Sequence, residues 1–202
     1  MFTLAIFGQT GSGKTSLSNA LFGLNWRTDD AVACTQKVFQ HEGKIVSSLN
    51  GDKLPEWRLL DTPGVGESEE ADKKHFPQLY EAFHSLNINM ILWVVQSDSR
   101  ALAQAQKSIL RLTDNGQKIP KAHFVMALNQ IDRLHPENWD TVNNAPSPEQ
   151  SSLIPEMVNL IYKRFSPYIP VSEEHIIPCS ALRVYALNNL VNAINYYQAK
   201  EV

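Results

Sequence analysis

The chain has only two cysteines in 202 residues, Cys34 and Cys179, and they stand far apart. Neither forms a C-x-x-C pair or a Cys/His metal spacing, which excludes a disulfide framework and a structural zinc. The six histidines are scattered, with no H-E-x-x-H. A large excess of either charge is also missing. The 18 Lys and Arg against 21 Asp and Glu give a net charge of −3. That offers no general attraction to nucleic acid or anionic lipid, although it leaves room for a local basic patch. Long hydrophobic runs are absent too. The longest, INMILWVV (88–95), contains an asparagine and falls well short of the roughly 20 residues that span a bilayer. No signal-peptide pattern opens the chain, so a cytoplasmic location is expected. Repeats and low-complexity segments are lacking as well.

What remains is an ordinary globular composition, 43% hydrophobic and 19% charged, of a length that suits one domain over residues 1–202. A strand that begins at the second residue fits either a protein without an N-terminal arm or a fragment of a longer chain.

The stretch GQTGSGKTSLSNALFG (8–23) carries the strongest signal. It reads G-x-x-x-x-G-K-[ST] as Gly8, Gly13, Lys14 and Thr15. Such a loop bends sharply, and its N–H groups form an anion-binding nest. Leu17, Ala20 and Leu21 recur at helical spacing, so a helix starting at Gly13 or Lys14 aims its positive dipole end at the same point. Lys14 adds a point charge for the outer phosphates, and Thr15 a hydroxyl for Mg2+. The apolar run FTLAIF (2–7) directly upstream supplies the strand such a loop requires. The glycines do not run G-x-G-x-x-G, which disfavours a Rossmann dinucleotide site.

Apolar runs of strand length alternate with helix-length segments along the rest of the chain. Residues 36–52 read as two short strands around a turn at Glu42-Gly43, and 56–64 as a strand ending at Asp61. Segment 69–86 is helical with a break expected at Pro77. A strand over 88–96 precedes a helix over 99–113, and 122–130 is another strand. Residues 133–148 form a loop, and 151–165 a helix with Pro155 in its first turn. A strand over 175–181 and a helix over 184–198 close the chain. Fully apolar strands alternating with helices indicate an α/β fold, a mostly parallel sheet covered on both faces. In such sheets the ligand binds at the carboxyl ends of the strands.

Three of those ends carry chemistry. Asp61 in D-T-P-G can hold Mg2+ through water, and the Gly64 N–H can face a terminal phosphate. Asp132 in N-Q-I-D can accept two parallel hydrogen bonds from the N1–H and 2-amino groups of guanine, donors that adenine lacks. Backbone N–H groups at Ser180 and Ala181 can meet the guanine O6.

G-x-x-x-x-G-K-T, a threonine in the first mobile segment, D-T-P-G, N-x-x-D and S-A occur here in the order of P-loop GTPases. GKTSLSNALFG followed by Thr35 resembles the Era-like (TrmE-Era) branch of the translation-factor class. The resemblance covers essentially the whole chain and implies a three-layer G domain with a six-stranded, mostly parallel sheet. It implies that residues 8–15, with Gly8, Gly11, Ser12 and Gly13, wrap the phosphates of GTP or GDP. Lys14 would reach the β and γ groups and Ser16 the α-phosphate. Thr15, Thr35 and Asp61 would hold Mg2+, Thr35 only in the GTP state and in preference to Thr28. Lys14, Thr35 and Gly64 would serve hydrolysis, and Asn129, Gln130, Asp132, Ser180 and Ala181 would bind the base.

Three departures from the family pattern matter. Gln130 stands where N-K-x-D has lysine. Val65 follows D-T-P-G, where many GTPases place a water-orienting glutamine. Gly11 replaces an asparagine that binds potassium in part of the branch, so no potassium activation through that ligand is expected. The resemblance therefore implies slow intrinsic hydrolysis raised by a partner or by dimerisation, with Glu67, Glu69 and Glu70 as nearby candidates to orient water. Ribosomal RNA or an assembling ribosome is the implied effector. Two alternatives remain: a nucleotide-dependent dimerising module with little hydrolysis, and a P-loop small-molecule kinase, which the few, unclustered arginines disfavour.

Overall fold

Strand β1 (Phe2–Gly8) alternates its side chains between two hydrophobic cores, and this sets the plan of the domain. Ala5 and Phe7 face one core, Leu4 and Ile6 the other. The computed structural model describes residues 1–28, 38–45, 56–64, 69–85, 87–97 and 99–198. After β1 come α1 (Lys14–Phe22), β2 (Phe39–Gly43), β3 (Trp57–Asp61), α2 (Glu69–Ser85) and β4 (Met90–Gln96). Then follow α3 (Ser99–Leu112), β5 (His123–Asn129), α4 (Pro148–Phe165), β6 (Ile176–Pro178) and α5 (Leu187–Gln198). The sheet has six strands in the order β2-β3-β1-β4-β5-β6, with β2 antiparallel and the other pairings parallel. This is the expected α/β architecture.

On one face Phe7, Trp93 and Phe124 pack with Phe83 of α2, Ile109 of α3 and Phe165 of α4. On the other, Ile6, Leu92 and Val125 pack with Leu17 and Leu21 of α1 and with Leu190 and Ile194 of α5. Burying both faces stabilises the layers against each other at roughly 25 cal/mol per Å² of apolar surface. Cys179 is fully buried in the second core, and burial pushes its thiol up to about 12.

Several boundaries differ from the sequence expectations. Glu42 and Gly43 do not form a turn. They lie within β2 opposite Arg58 and Trp57, and an Arg58–Glu42 ion pair at 3.1 Å spans the ladder. The expected second strand of that segment falls mostly on 46–52, outside the described residues. Pro77 does not break α2, and Pro155 lies well inside α4 rather than in its first turn. Both prolines are on the exposed side of their helix, where water can satisfy the carbonyl that a proline leaves unbonded. Helix α4 starts earlier than expected because Ser147 and Gln150 form a reciprocal capping box before Pro148. Helix α5 starts later, at Leu187, because residues 180–185 are closed into a turn by paired backbone bonds between Ser180 and Tyr185. Among the described residues no helix is long and apolar enough to cross a membrane.

Candidate functional site

The carboxyl ends of β1, β3, β4, β5 and β6 bring the sequence motifs together. Gly8–Thr15 runs from the end of β1 into the first turn of α1. Gly13 caps α1 without a side-chain bond, at φ +87°, where an L side chain is strained. A Cβ there would also strike the Asn129 amide. The loop's carbonyls are held by donors around it. The Gln9 carbonyl accepts from Ser12 N (3.2 Å), Ser12 Oγ (2.8 Å) and Lys14 Nζ (2.8 Å). The Gly11 carbonyl accepts from Gln96 Nε2 (2.7 Å) and Gln130 Nε2 (2.9 Å), and the Ser12 carbonyl from Asn129 Nδ2 (2.8 Å).

Lys14 is buried at 6% exposure beside Asp61, which is fully buried. Burial pulls the lysine down to about 8, against the pull of the nearby Asp61 charge. Burial pushes the Asp61 carboxyl up to about 6, against Lys14 and a hydrogen bond from Thr15. Thr15 Oγ1 donates to Asp61 Oδ2 at 2.9 Å, while Asp61 Oδ1 is buried with no partner among the described residues. An unpaired buried carboxylate oxygen beside a threonine hydroxyl is a donor set that fits a hard divalent cation. Thr62 Oγ1 donates to the Ile6 carbonyl (2.7 Å) and ties the end of β3 to β1. Gly64 then presses on the phosphate loop so closely that a Cβ would lie 2.6 Å from Thr10 N. Thr35, Val65 and Glu67 lie outside the described residues, and Glu69 and Glu70 open α2.

At the other end of the loop, Gly13, Ser16, Asn129, Gln130, Asp132 and Ala181 border a cavity of about 150 Å³. Asp132 is 8% exposed, and its Oδ1 is buried without a partner among the described residues. Its Oδ2 lies 4.0 Å from Arg183 Nε. The lone acceptor borders the cavity where a donor from a base is expected. Gln130 adopts a left-handed backbone (φ +63°) that turns the chain from β5 into the short helix Ile131–Arg133. The Ser97 hydroxyl holds the Gln130 carbonyl at 2.8 Å.

The Ser180 and Ala181 N–H groups are engaged within the protein. Ser180 N donates to the Tyr185 carbonyl (3.1 Å), closing a turn, and Ala181 N donates to Asn129 Oδ1 (3.0 Å). Asn129 thus joins the phosphate loop to the 180–185 turn. Thr28, which the sequence reading passed over as a metal ligand, borders the cavity instead, with Arg133 and Leu182. Sequence reasoning also missed Gln96. The signal was available, since Gln96 is the polar residue ending the apolar strand β4.

Residues 3–130 match the sequence profile of a family described as 50S ribosome-binding GTPase. The uncharacterized protein YfjP of Escherichia coli K12 is 31% identical over 184 residues, covering 91% of this chain and 59% of that protein. A structure of Era in complex with MgGDPNP and nucleotides 1506–1542 of 16S ribosomal RNA superposes with a TM-score of 0.68 at 19% identity. That match covers 97% of this chain and 56% of the Era chain. A probable GTP-binding protein, EngB, superposes with a TM-score of 0.59 at 17% identity over 98% and 99% of the two chains. The chain therefore spans a little over half the length of YfjP and of Era.

Proposed function

The chain belongs to the 50S ribosome-binding GTPase family, and from that premise we propose that it binds GTP and hydrolyses it to GDP and phosphate as a Mg2+-dependent switch, slowly without a partner. One observation carries the reading. Among the described residues two buried carboxylate oxygens lack partners, Asp61 Oδ1 beside the phosphate loop and Asp132 Oδ1 beside the adjoining cavity. They stand where a cation and a guanine would each supply the missing interaction.

The residues divide the work by chemistry. The loop Gly8–Thr15 and Lys14 bind the phosphates, and withdrawing Lys14 from water strengthens its charge on them. Ser16 sits at the mouth of the loop for the α-phosphate. Thr15 and Asp61 would hold Mg2+, with Thr35 as its GTP-state ligand, and the ion when bound supplies charge against that developing on the transferred group. The Gly64 N–H senses the γ-phosphate. Asp132 selects guanine by pairing, because adenine would leave the carboxylate desolvated and unsatisfied. Gln130, Ser180 and Ala181 shape the base site around it. Loss of the γ-phosphate releases the segments 26–38 and 62–75, and this is the switch.

Slow turnover follows from Val65, which cannot hydrogen-bond the attacking water. A missing water-orienting group or arginine finger is worth about 10^3 or more in rate. The Era complex with 16S ribosomal RNA supports an RNA-linked effector here too, and nucleotide-dependent pairing of two copies is the other route to activation. The test is turnover against protein concentration, with and without ribosomal particles. The expected result is slow single-turnover hydrolysis by dilute protein and a rise with partner or with concentration. Fast hydrolysis by dilute monomer would overturn the switch reading.

A further inference from the structure

We propose that Gln96, which lies outside every nucleotide-binding motif, is a positioning residue for the phosphate loop. Its side-chain amide, with that of Gln130, holds the Gly11 carbonyl turned away from the phosphates. The inference rests on the nucleotide-binding reading above and deepens it.

The loop crown is tied down by amides from two neighbouring strand ends. Gln96 ends β4 and is the register partner of Asn129, which ends β5, with Gln130 next in the chain. Both glutamine amides donate to one acceptor, the Gly11 carbonyl, at 2.7 and 2.9 Å. A carbonyl oxygen has two lone pairs, so this one is fully used. In a planar trans peptide the following N–H points opposite to the C=O. Holding the Gly11 oxygen from outside therefore aims the Ser12 N–H into the loop. It is 3.2 Å from the Gln9 carbonyl, the same oxygen that receives Lys14 Nζ. The Asn129 bond to the Ser12 carbonyl orients the next peptide unit in the same sense. Anion binding by a backbone nest requires these peptide planes to be set before the ligand arrives, because ordering them on binding weakens affinity.

Gln96 is also suited to the position. Gly11 has φ +76°, and a Cβ built there would sit 3.4 Å from Gln96 Nε2. The amide thus occupies the space beside a glycine that offers no side chain of its own. Without Gln96 the plane would rest on the Gln130 bond at 2.9 Å and the longer bond from Ser12 N to the Gln9 carbonyl at 3.2 Å.

The test compares GDP with guanosine, each measured by competition against a fluorescent GDP analogue in Mg2+, for wild type, Gln96→Ala and Gln96→Glu. Gln96→Ala is expected to weaken GDP about three- to tenfold, the range of one neutral hydrogen bond. It should leave guanosine affinity unchanged, since guanosine does not use the loop. Gln96→Glu, which sets a carboxylate against a carbonyl oxygen, should weaken GDP further. Equal losses for GDP and guanosine, or no loss for GDP, would overturn the positioning role. Failure of wild type to bind GDP at all would instead overturn the function on which it rests.

Discussion

Lys14 and Asp61 form a buried pair whose titration can be observed directly. The Asp61 carboxyl is held at about 6, above its free value, so the native state binds more protons than the unfolded chain between about pH 4 and 6. Its contribution to stability is present at low pH and is lost as pH rises through 6. Lys14 is held at about 8, below its free value, so its contribution is present above about 10.5 and is lost as pH falls through 8. Nucleotide-free protein should therefore show a stability dip between pH 6 and 8, which the double variant Lys14→Met/Asp61→Asn flattens. Denaturant unfolding across pH checks this, and an unchanged dip in the double variant would refute it. Legibility differed from residue to residue. Gly8, Gly13, Lys14, Thr15, Asp61, Asn129 and Asp132 could be picked out by motif spacing, and they lie around one loop at the strand ends. Arg183 could not be picked out, because it nears Asp132 through the path of the 180–185 turn, which no local spacing encodes, whereas Gln96 was open to reading as the polar end of β4 but belongs to no motif.

At the scale of elements, α4 supports the cavity beside Asp132 from outside it. Its capping box joins Ser147 Oγ to Gln150 N at 3.1 Å and Ser147 N to Gln150 Oε1 at 3.1 Å. Gln150 is fully buried, and its amide also donates to the Asp132 (3.2 Å) and Leu134 (2.8 Å) carbonyls. Ser147→Ala should cost about 1 kcal/mol, as for a lost N-cap. Gln150→Ala should cost more, about 1–3 kcal/mol, because it leaves buried carbonyls unpaired. Urea melts measure both, and a smaller loss for Gln150→Ala would contradict the bracing role. The sequence reading began this helix at residue 151 and took 133–148 as plain loop. The cap residues look like ordinary loop polarity until Gln150 is seen to be buried. Pro77 and Pro155 misled for a related reason, since a proline's effect depends on which helix face it occupies, and that is set by packing.

Over the whole molecule, five parallel strands end on one side, and there the phosphate loop, Asp61, Gln96, Asn129 and the 180–185 turn meet. The alternation of apolar strands and helices made this α/β plan legible, because a parallel sheet must bury both faces. The strand order and the antiparallel β2 were not legible, since pairing depends on contacts between distant segments. The central claim is that cavity and loop are one guanine-nucleotide site, and calorimetric titration with GDP, GTP and ATP in Mg2+ tests it most directly, run on wild type and on Asp132→Asn. Guanine nucleotides should bind wild type roughly a hundredfold or more tighter than ATP. Asp132→Asn should lose GDP and gain xanthosine diphosphate, whose 2-oxo group suits an amide donor. ATP binding as tightly as GTP, or an Asp132→Asn variant with undiminished GDP affinity, would contradict the claim.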